Sequence, residues 1–197
     1  VAGQGAVLIK WLPSVQYIDP SDPQLIPFYE KLKELGLPLL THTGDEHSFT
    51  NARNELGDPK KLILPLEIGV TVIAAHVASS GKNEGQDNMT RLLSLFDRYP
   101  NLYADISSLT QINKLNKFNT LMKKHDVQDR FVYGTDFPLP ATSLVSPWYF
   151  AFKIPFAKII TLNKIKNPWD QDVEIKLAMG IKPEVFSRNE IFPGLGL

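Results

Sequence analysis

Four histidines stand in this chain, at positions 42, 47, 76 and 125, and there is no cysteine. Two of the histidines close short apolar runs in the same way: Pro38-Leu39-Leu40-Thr41-His42 and Val72-Ile73-Ala74-Ala75-His76. A third such run, Phe131-Val132-Tyr133-Gly134-Thr135-Asp136, ends on a carboxylate. Two imidazoles and a carboxylate that converge are suited to a divalent metal ion or to general acid–base work. The lack of cysteine removes a thiolate zinc site, a cysteine nucleophile and a disulfide scaffold from consideration.

Such groups need elements that aim them at one place. Two further apolar runs, Ala6-Val7-Leu8-Ile9-Lys10 and Leu102-Tyr103-Ala104-Asp105, also end in an ionisable residue. All five are nearly continuously apolar, as strands buried on both faces are. Their last residues follow one another at intervals of 29 to 34 residues, the length of one strand plus a crossover helix. The segments between them read as amphipathic helices. Leu25, Phe28, Tyr29, Leu32 and Leu35 share a face ahead of Gly36. Asp58 and Pro59 open a helix that turns Leu62, Leu66 and Ile68 inward. Asp87 to Tyr99 carries Met89, Leu92, Leu93 and Phe96, and Gln111 to His125 carries Ile112, Leu115, Phe118, Leu121 and Met122.

Strand–helix alternation at this period predicts an α/β fold with a parallel sheet. Eight units of this length come to the roughly 250 residues of a (β/α)8 TIM barrel, and five are visible. The chain reads as strands four to eight of such a barrel with strands one to three missing, or as an open five-stranded α/β domain. Ionisable residues at every strand end favour the barrel, whose strand ends all point into one mouth, whereas an open sheet gathers ligands at one switch point. Strand alternation places Leu40 with His42, Ala74 with His76 and Gly134 with Asp136 on the inward face.

The other ionisable residues have plainer readings. Asp105 precedes Ile106-Ser107-Ser108 as a cap. Lys10 is a solvated strand end or pairs with a carboxylate. His47, in the loop Gly44-Asp45-Glu46-His47, sits on a rim. His125 complements a helix C-terminus.

Lys+Arg and Asp+Glu are 21 each, so the clustered basic excess that nucleic acid requires is missing. No apolar run reaches the ~18 residues of a membrane span. The expected partner is a small-molecule substrate, with no nucleic acid and no membrane, in a cytoplasmic protein. Residues 1–197 are expected to form one domain, a partial barrel. The segment 139–170, with Trp148, Tyr149, Phe150, Phe152, Phe156 and Trp169, is too long for an ordinary loop. Ser146-Pro147-Trp148 starts a helix there, with Phe152 and Phe156 following at helical spacing. That aromatic-rich insertion is the helix outside strand eight, a lid over the mouth, or a subunit contact. A partial barrel exposes sheet edges, so the chain is expected to be part of something longer or a homo-oligomer.

The blocks Leu-Pro-Leu-Leu-Thr-His-Thr-Gly at 37–44, Ala-Ala-His at 74–76, Asn-Leu-Tyr-Ala-Asp-Ile-Ser at 101–107 and Asp-Arg-Phe-Val-Tyr-Gly-Thr-Asp-Phe-Pro at 129–138 come in a recognisable order. Together they resemble the amidohydrolase-related metal-dependent hydrolases, in the branch that includes aminocarboxymuconate-semialdehyde decarboxylase. The resemblance implies one divalent metal ion, zinc, with His42 and Asp136 as ligands. It implies His76 as the group that contacts substrate or moves a proton, and Asp136 as the group that orients or deprotonates the attacking water. The implied activity is hydrolysis of a small organic acid, ester or amide by metal-activated water. The alternatives are decarboxylation by the same parts, or a non-catalytic binding protein derived from the barrel. The strand-one histidines that supply half the ligands in the family have no counterpart here, and Lys10 takes no ligand role. Family members also end on a helix bearing an asparagine, near Arg188-Asn189.

Overall fold

The computed structural model describes residues 5–188 and 191–192, without the side chains of residues 125, 126 and 139. His125 as a helix-end residue and Asn189 as the terminal asparagine lie outside what is described. The described residues divide into two compact units, one up to Asp105, the other Ile106–Arg188.

The first unit carries four of the expected strands: β1 (Ile9–Trp11), β2 (Leu39–His42), β3 (Val72–Ala75) and β6 (Leu102–Asp105). They pair in parallel in that order, with Leu39 beside Ile9 on one side and Val72 on the other, and Val72 beside Leu102. Val72–Ala75 is buried throughout, as a central parallel strand must be when helices cover both faces. The first run starts later than its sequence suggests, because Trp11 continues the ladder opposite Thr41.

The crossovers begin where capping chemistry places them. Asp22 accepts from the Gln24 N–H ahead of a 3-10 turn at Pro23–Leu25, which runs into α2 (Ile26–Glu34). A short α1 (Pro13–Gln16) precedes it. Asp58 accepts from the Lys60 N–H, opening a turn at Pro59–Leu62 and then α3 (Ile63–Ile68), whose C-cap Gly69 takes φ +99°. This is the left-handed C-terminal position that glycine adopts without penalty. A two-residue hairpin, β4 (Lys82–Asn83) and β5 (Gln86–Asp87), leads into α4 (Asn88–Leu93), with Asp87 accepting from the Thr90 N–H. Tyr29, Leu32, Leu62, Leu66, Met89, Leu92 and Phe96 are buried as their spacing suggests, but Phe28 and Leu35, read onto the first of these faces, are exposed. Between α3 and α4 the buried Arg91 donates from Nε to Asp58 Oδ1 (2.9 Å) and from Nη2 to Asp58 Oδ2 (2.6 Å), a two-pronged ion pair.

In the second unit the Ile106 N–H donates to Val132 O at 3.0 Å, a ladder bond beside the fifth expected strand, β7 (Phe131–Val132). A 3-10 turn at Ile112–Lys114 precedes α5 (Leu115–Leu121), which buries Phe118 and Leu121. Ile112 does not join that inward face. It is 48% exposed, because its N–H is drawn to Leu144 O and the neighbouring Gln111 bridges Val145.

Ser146 caps a turn at Pro147–Phe150, as its sequence suggests, but the turn does not continue as one helix. Pro155 interrupts it, and α6 (Phe156–Leu162) starts afresh, burying Ile159 and Leu162. Phe152 is 102% exposed in the gap. The last helix, α7 (Pro168–Ala178), begins where Asn167 caps the Trp169 N–H and Pro168 takes the first turn. No helix of the described residues is long and apolar enough to cross a membrane.

Candidate functional site

His42 ends β2, and parallel pairing sets it beside Ala75, not beside His76. Residues in register share a face of the sheet, and the next residue faces the other way. A continued strand would therefore put His76 on the face opposite His42. The backbone prevents this by leaving the strand: His76, Val77 and Ala78 take φ of +57°, +51° and +48°. Three successive left-handed residues, one of them β-branched, are costly at about 1–2 kcal/mol each. The turn swings the imidazole of His76 back, so that its ring centre lies 5.3 Å from that of His42, with the rings inclined at 62°. The Thr43 hydroxyl donates to Ala75 O at 2.8 Å and ties the two strand ends together.

A carboxylate that sequence reasoning passed over joins the pair. Glu46 Oε2 lies 3.7 Å from His42 Nε2, and both side chains are about nine-tenths buried. Glu46 donates its own N–H to Asn54 Oδ1 (2.8 Å), and its carboxylate accepts from the Ser48 N–H (2.6 Å). Burial pushes the Glu46 carboxyl up, but the two bonds from Ser48 and the neighbouring His42 and His76 outweigh it, so it is held below the usual range. The signal for Glu46 was its place four residues after His42 in a polar loop, where His47 drew attention instead. His47 is exposed.

That loop is clamped by close backbone approach. Gly44 N–H donates to Gly57 O at 2.8 Å, and Asp45 N–H to Ser80 O at 3.2 Å. The Ser80 hydroxyl returns a bond to Asp45 O at 2.8 Å. A Cβ on Gly57 would stand 2.4 Å from Gly44 O, and Gly44 itself takes φ +86°. Both positions therefore demand glycine.

In the second unit the expected Asp136 sits at φ +49°, and Ser108, at φ +61°, donates its hydroxyl to Asp136 Oδ2. Ser108 has no sequence signal beyond its place after a strand, where it read as part of a cap. Asp105 is buried at the end of β6, and Lys10 is exposed on β1. The structure thus brings His42 and His76 together, adds Glu46 to them, and pairs Asp136 with Ser108.

Members of the family resembled typically bind a metal. Among the described residues no group of three or more His, Asp or Glu side chains is arranged to hold one. His42, His76 and Glu46 are three groups of suitable type, but they are not arranged as the three converging ligands that a catalytic ion needs beside its water. The described residues do not by themselves form a complete metal site.

Comparison with known proteins gives the following. The model of the family described as Amidohydrolase matches residues 1–158. No curated protein sequence matches. Among solved structures, a Pseudomonas putida protein provisionally described as a 2-pyrone-4,6-dicarboxylic acid hydrolase is similar over 92% of this chain, with a TM-score of 0.52 and 15% identity. An uncharacterized TIM-barrel protein of Bordetella bronchiseptica is similar over 88% of the chain, with a TM-score of 0.52 and 17% identity. The chain spans 66% of the first and 58% of the second, less than two-thirds of either. These likenesses show the fold, an α/β fold of the TIM-barrel type.

Proposed function

Because this chain belongs to the amidohydrolase family, we propose that it is part of a hydrolase that opens an ester or amide of a small organic acid with water. The observation that carries this reading is the meeting of His42 and His76 at neighbouring strand ends, 5.3 Å apart. A strained left-handed turn holds them there, and strain of this kind gathers where function requires a particular side-chain direction.

In the proposed reaction Asp136 accepts a proton from the attacking water, and the Ser108 hydroxyl fixes the orientation of its carboxylate. His76 donates a proton to the leaving oxygen or nitrogen, or a hydrogen bond to the developing oxyanion. Glu46, 3.7 Å from His42 Nε2, places a negative charge beside that imidazole. His42 and Asp136 would be protein ligands of one divalent ion, zinc as the family resemblance implies. Such an ion would need at least one further ligand, and when bound it would polarise a carbonyl and acidify water.

The substrate class is taken from chemistry and from one neighbour. The Pseudomonas putida protein is described as hydrolysing a pyrone dicarboxylic acid, a cyclic ester bearing carboxylates, which falls within the class proposed. Incubation of the full-length protein with 2-pyrone-4,6-dicarboxylate, with ring opening followed by absorbance and released CO2 measured in parallel, tests the reading. Ring opening that falls at least about 100-fold in His76→Asn and Asp136→Asn supports it. CO2 release without ring opening overturns it in favour of decarboxylation. A rate equal in wild type and both variants removes these residues from the chemistry.

A further inference from the structure

The inward face of α7 carries charge where apolar side chains are expected. Asp172, Ile175 and Lys176 are its buried residues, and Asp172 and Lys176 are 1% and 0% exposed. They form an ion pair one helical turn apart. Removing two charges from water costs several kcal/mol per ion, and an apolar pair of the same volume often serves stability as well or better. Stability is therefore a poor account of this pair, and its other contacts point to a different one.

Asp172 collects donors from three separate stretches of the second unit. The Thr110 hydroxyl donates to Oδ1, the Tyr133 hydroxyl donates to Oδ2 at 3.1 Å, and Lys176 Nζ donates to Oδ2. Lys176 also stands over the Tyr133 ring, 5.1 Å from its centre. Thr110 lies two residues after Ser108, and Tyr133 three residues before Asp136. Ser108 and Asp136 are bonded to each other and both occupy left-handed backbone conformations. Such conformations persist only where their surroundings hold them. Asp172 grips the chain close to each.

We propose that Asp172 is a positioning residue, which through Thr110 and Tyr133 holds the two loop segments that bring Ser108 to Asp136. Lys176 Nζ donates to the same carboxylate and fixes its orientation toward both hydroxyls. The inference deepens the reading of Asp136 as the proton acceptor and rests on it for its functional meaning. Its structural content stands on the contacts alone.

The test uses the full-length protein and two measurements. The first is amide hydrogen exchange of the segments 106–111, 131–138 and 172–178. The second is ring opening of the pyrone probe. In the double variant Asp172→Asn/Lys176→Met, exchange in the first two segments is expected to rise about 10-fold or more, with the helix segment unchanged. The value of kcat is expected to fall about 10-fold, with KM within about 3-fold of wild type. Thr110→Val is expected to loosen 106–111 alone, and Tyr133→Phe to loosen 131–138 alone. Unchanged exchange in both loop segments overturns the proposal. So does a uniform rise that includes the helix, which marks a purely structural pair. If Asp136→Asn leaves ring opening intact, the functional reading fails by itself, and the exchange pattern still decides whether Asp172 holds the loops.

Discussion

The imidazoles of His42 and His76 lie 5.3 Å apart although strand pairing sets His42 beside Ala75. One residue of offset would place them on opposite faces of the sheet. The left-handed run His76-Val77-Ala78 cancels that offset. The site thus depends on a backbone feature as much as on two side chains.

The turn itself can be tested without any substrate. Ala78 is buried and sits at φ +48°. Glycine there relieves about 1 kcal/mol of left-handed strain and gives some of it back as chain entropy. Ala78→Gly is expected to leave stability unchanged or raise it by up to about 1 kcal/mol, whereas Ala78→Val is expected to lower it by about 2 kcal/mol. Denaturant midpoints compare the two. Equal destabilisation by both would mean that the backbone strain is not limiting.

Gly57 decides whether the His42–Glu46 loop can close. A Cβ there meets a backbone carbonyl, Gly44 O, at 2.4 Å, which has no flexible end to yield. Gly57→Ala is expected to cost about 2–3 kcal/mol and to speed exchange at the Gly44 and Asp45 amides. A variant as stable as wild type would contradict the close approach.

The Asp58–Arg91 pair carries a larger penalty when broken than when replaced. Asp58→Ala leaves the buried Arg91 with only the exposed Glu84 as a carboxylate partner, at Nη2, and it also removes the cap on Lys60 N. The expected cost is about 3–5 kcal/mol. Arg91→Met with Asp58→Asn, which keeps a cap and removes both charges, is expected to recover most of it. Urea unfolding of the three proteins separates these outcomes.

Acid should weaken the contact between Asp19 and Lys61. Burial raises the Asp19 carboxyl, but bonds from Lys61 and Ser21 outweigh it, and the group is held below its ordinary 3.8. A depressed carboxyl stabilises the fold above its unfolded value, and the contribution disappears as pH falls through the folded one. The stability gap between wild type and Asp19→Asn is therefore expected to be steady above about pH 5 and to close below about pH 4. A gap unaffected by pH would show that the charge is irrelevant there.

Phe152 and Phe156, exposed in the aromatic stretch, are expected to tolerate serine. Each change should alter stability by less than about 0.5 kcal/mol while lowering light scattering at high concentration.

Much of this was written in local pattern. Apolar runs ending in Lys10, His42, His76, Asp105 and Asp136 marked the strands, and Asp58 and Ser146 marked helix starts, because both signals act over a few residues. Motif order pointed to the family, and the match over residues 1–158 agrees. Which face a side chain takes was beyond reach, because it depends on strand register and on φ. Alternation alone grouped Leu40 with His42 and Ala74 with His76, yet pairing sets Leu40 beside Ile73. Glu46 and Ser108 gained their roles from partners distant or unremarkable in sequence, and nothing in the local pattern marks Asp172 and Lys176 as buried. Periodicity records which segments are buried; only packing in three dimensions settles which polar groups are buried with them and what they hold.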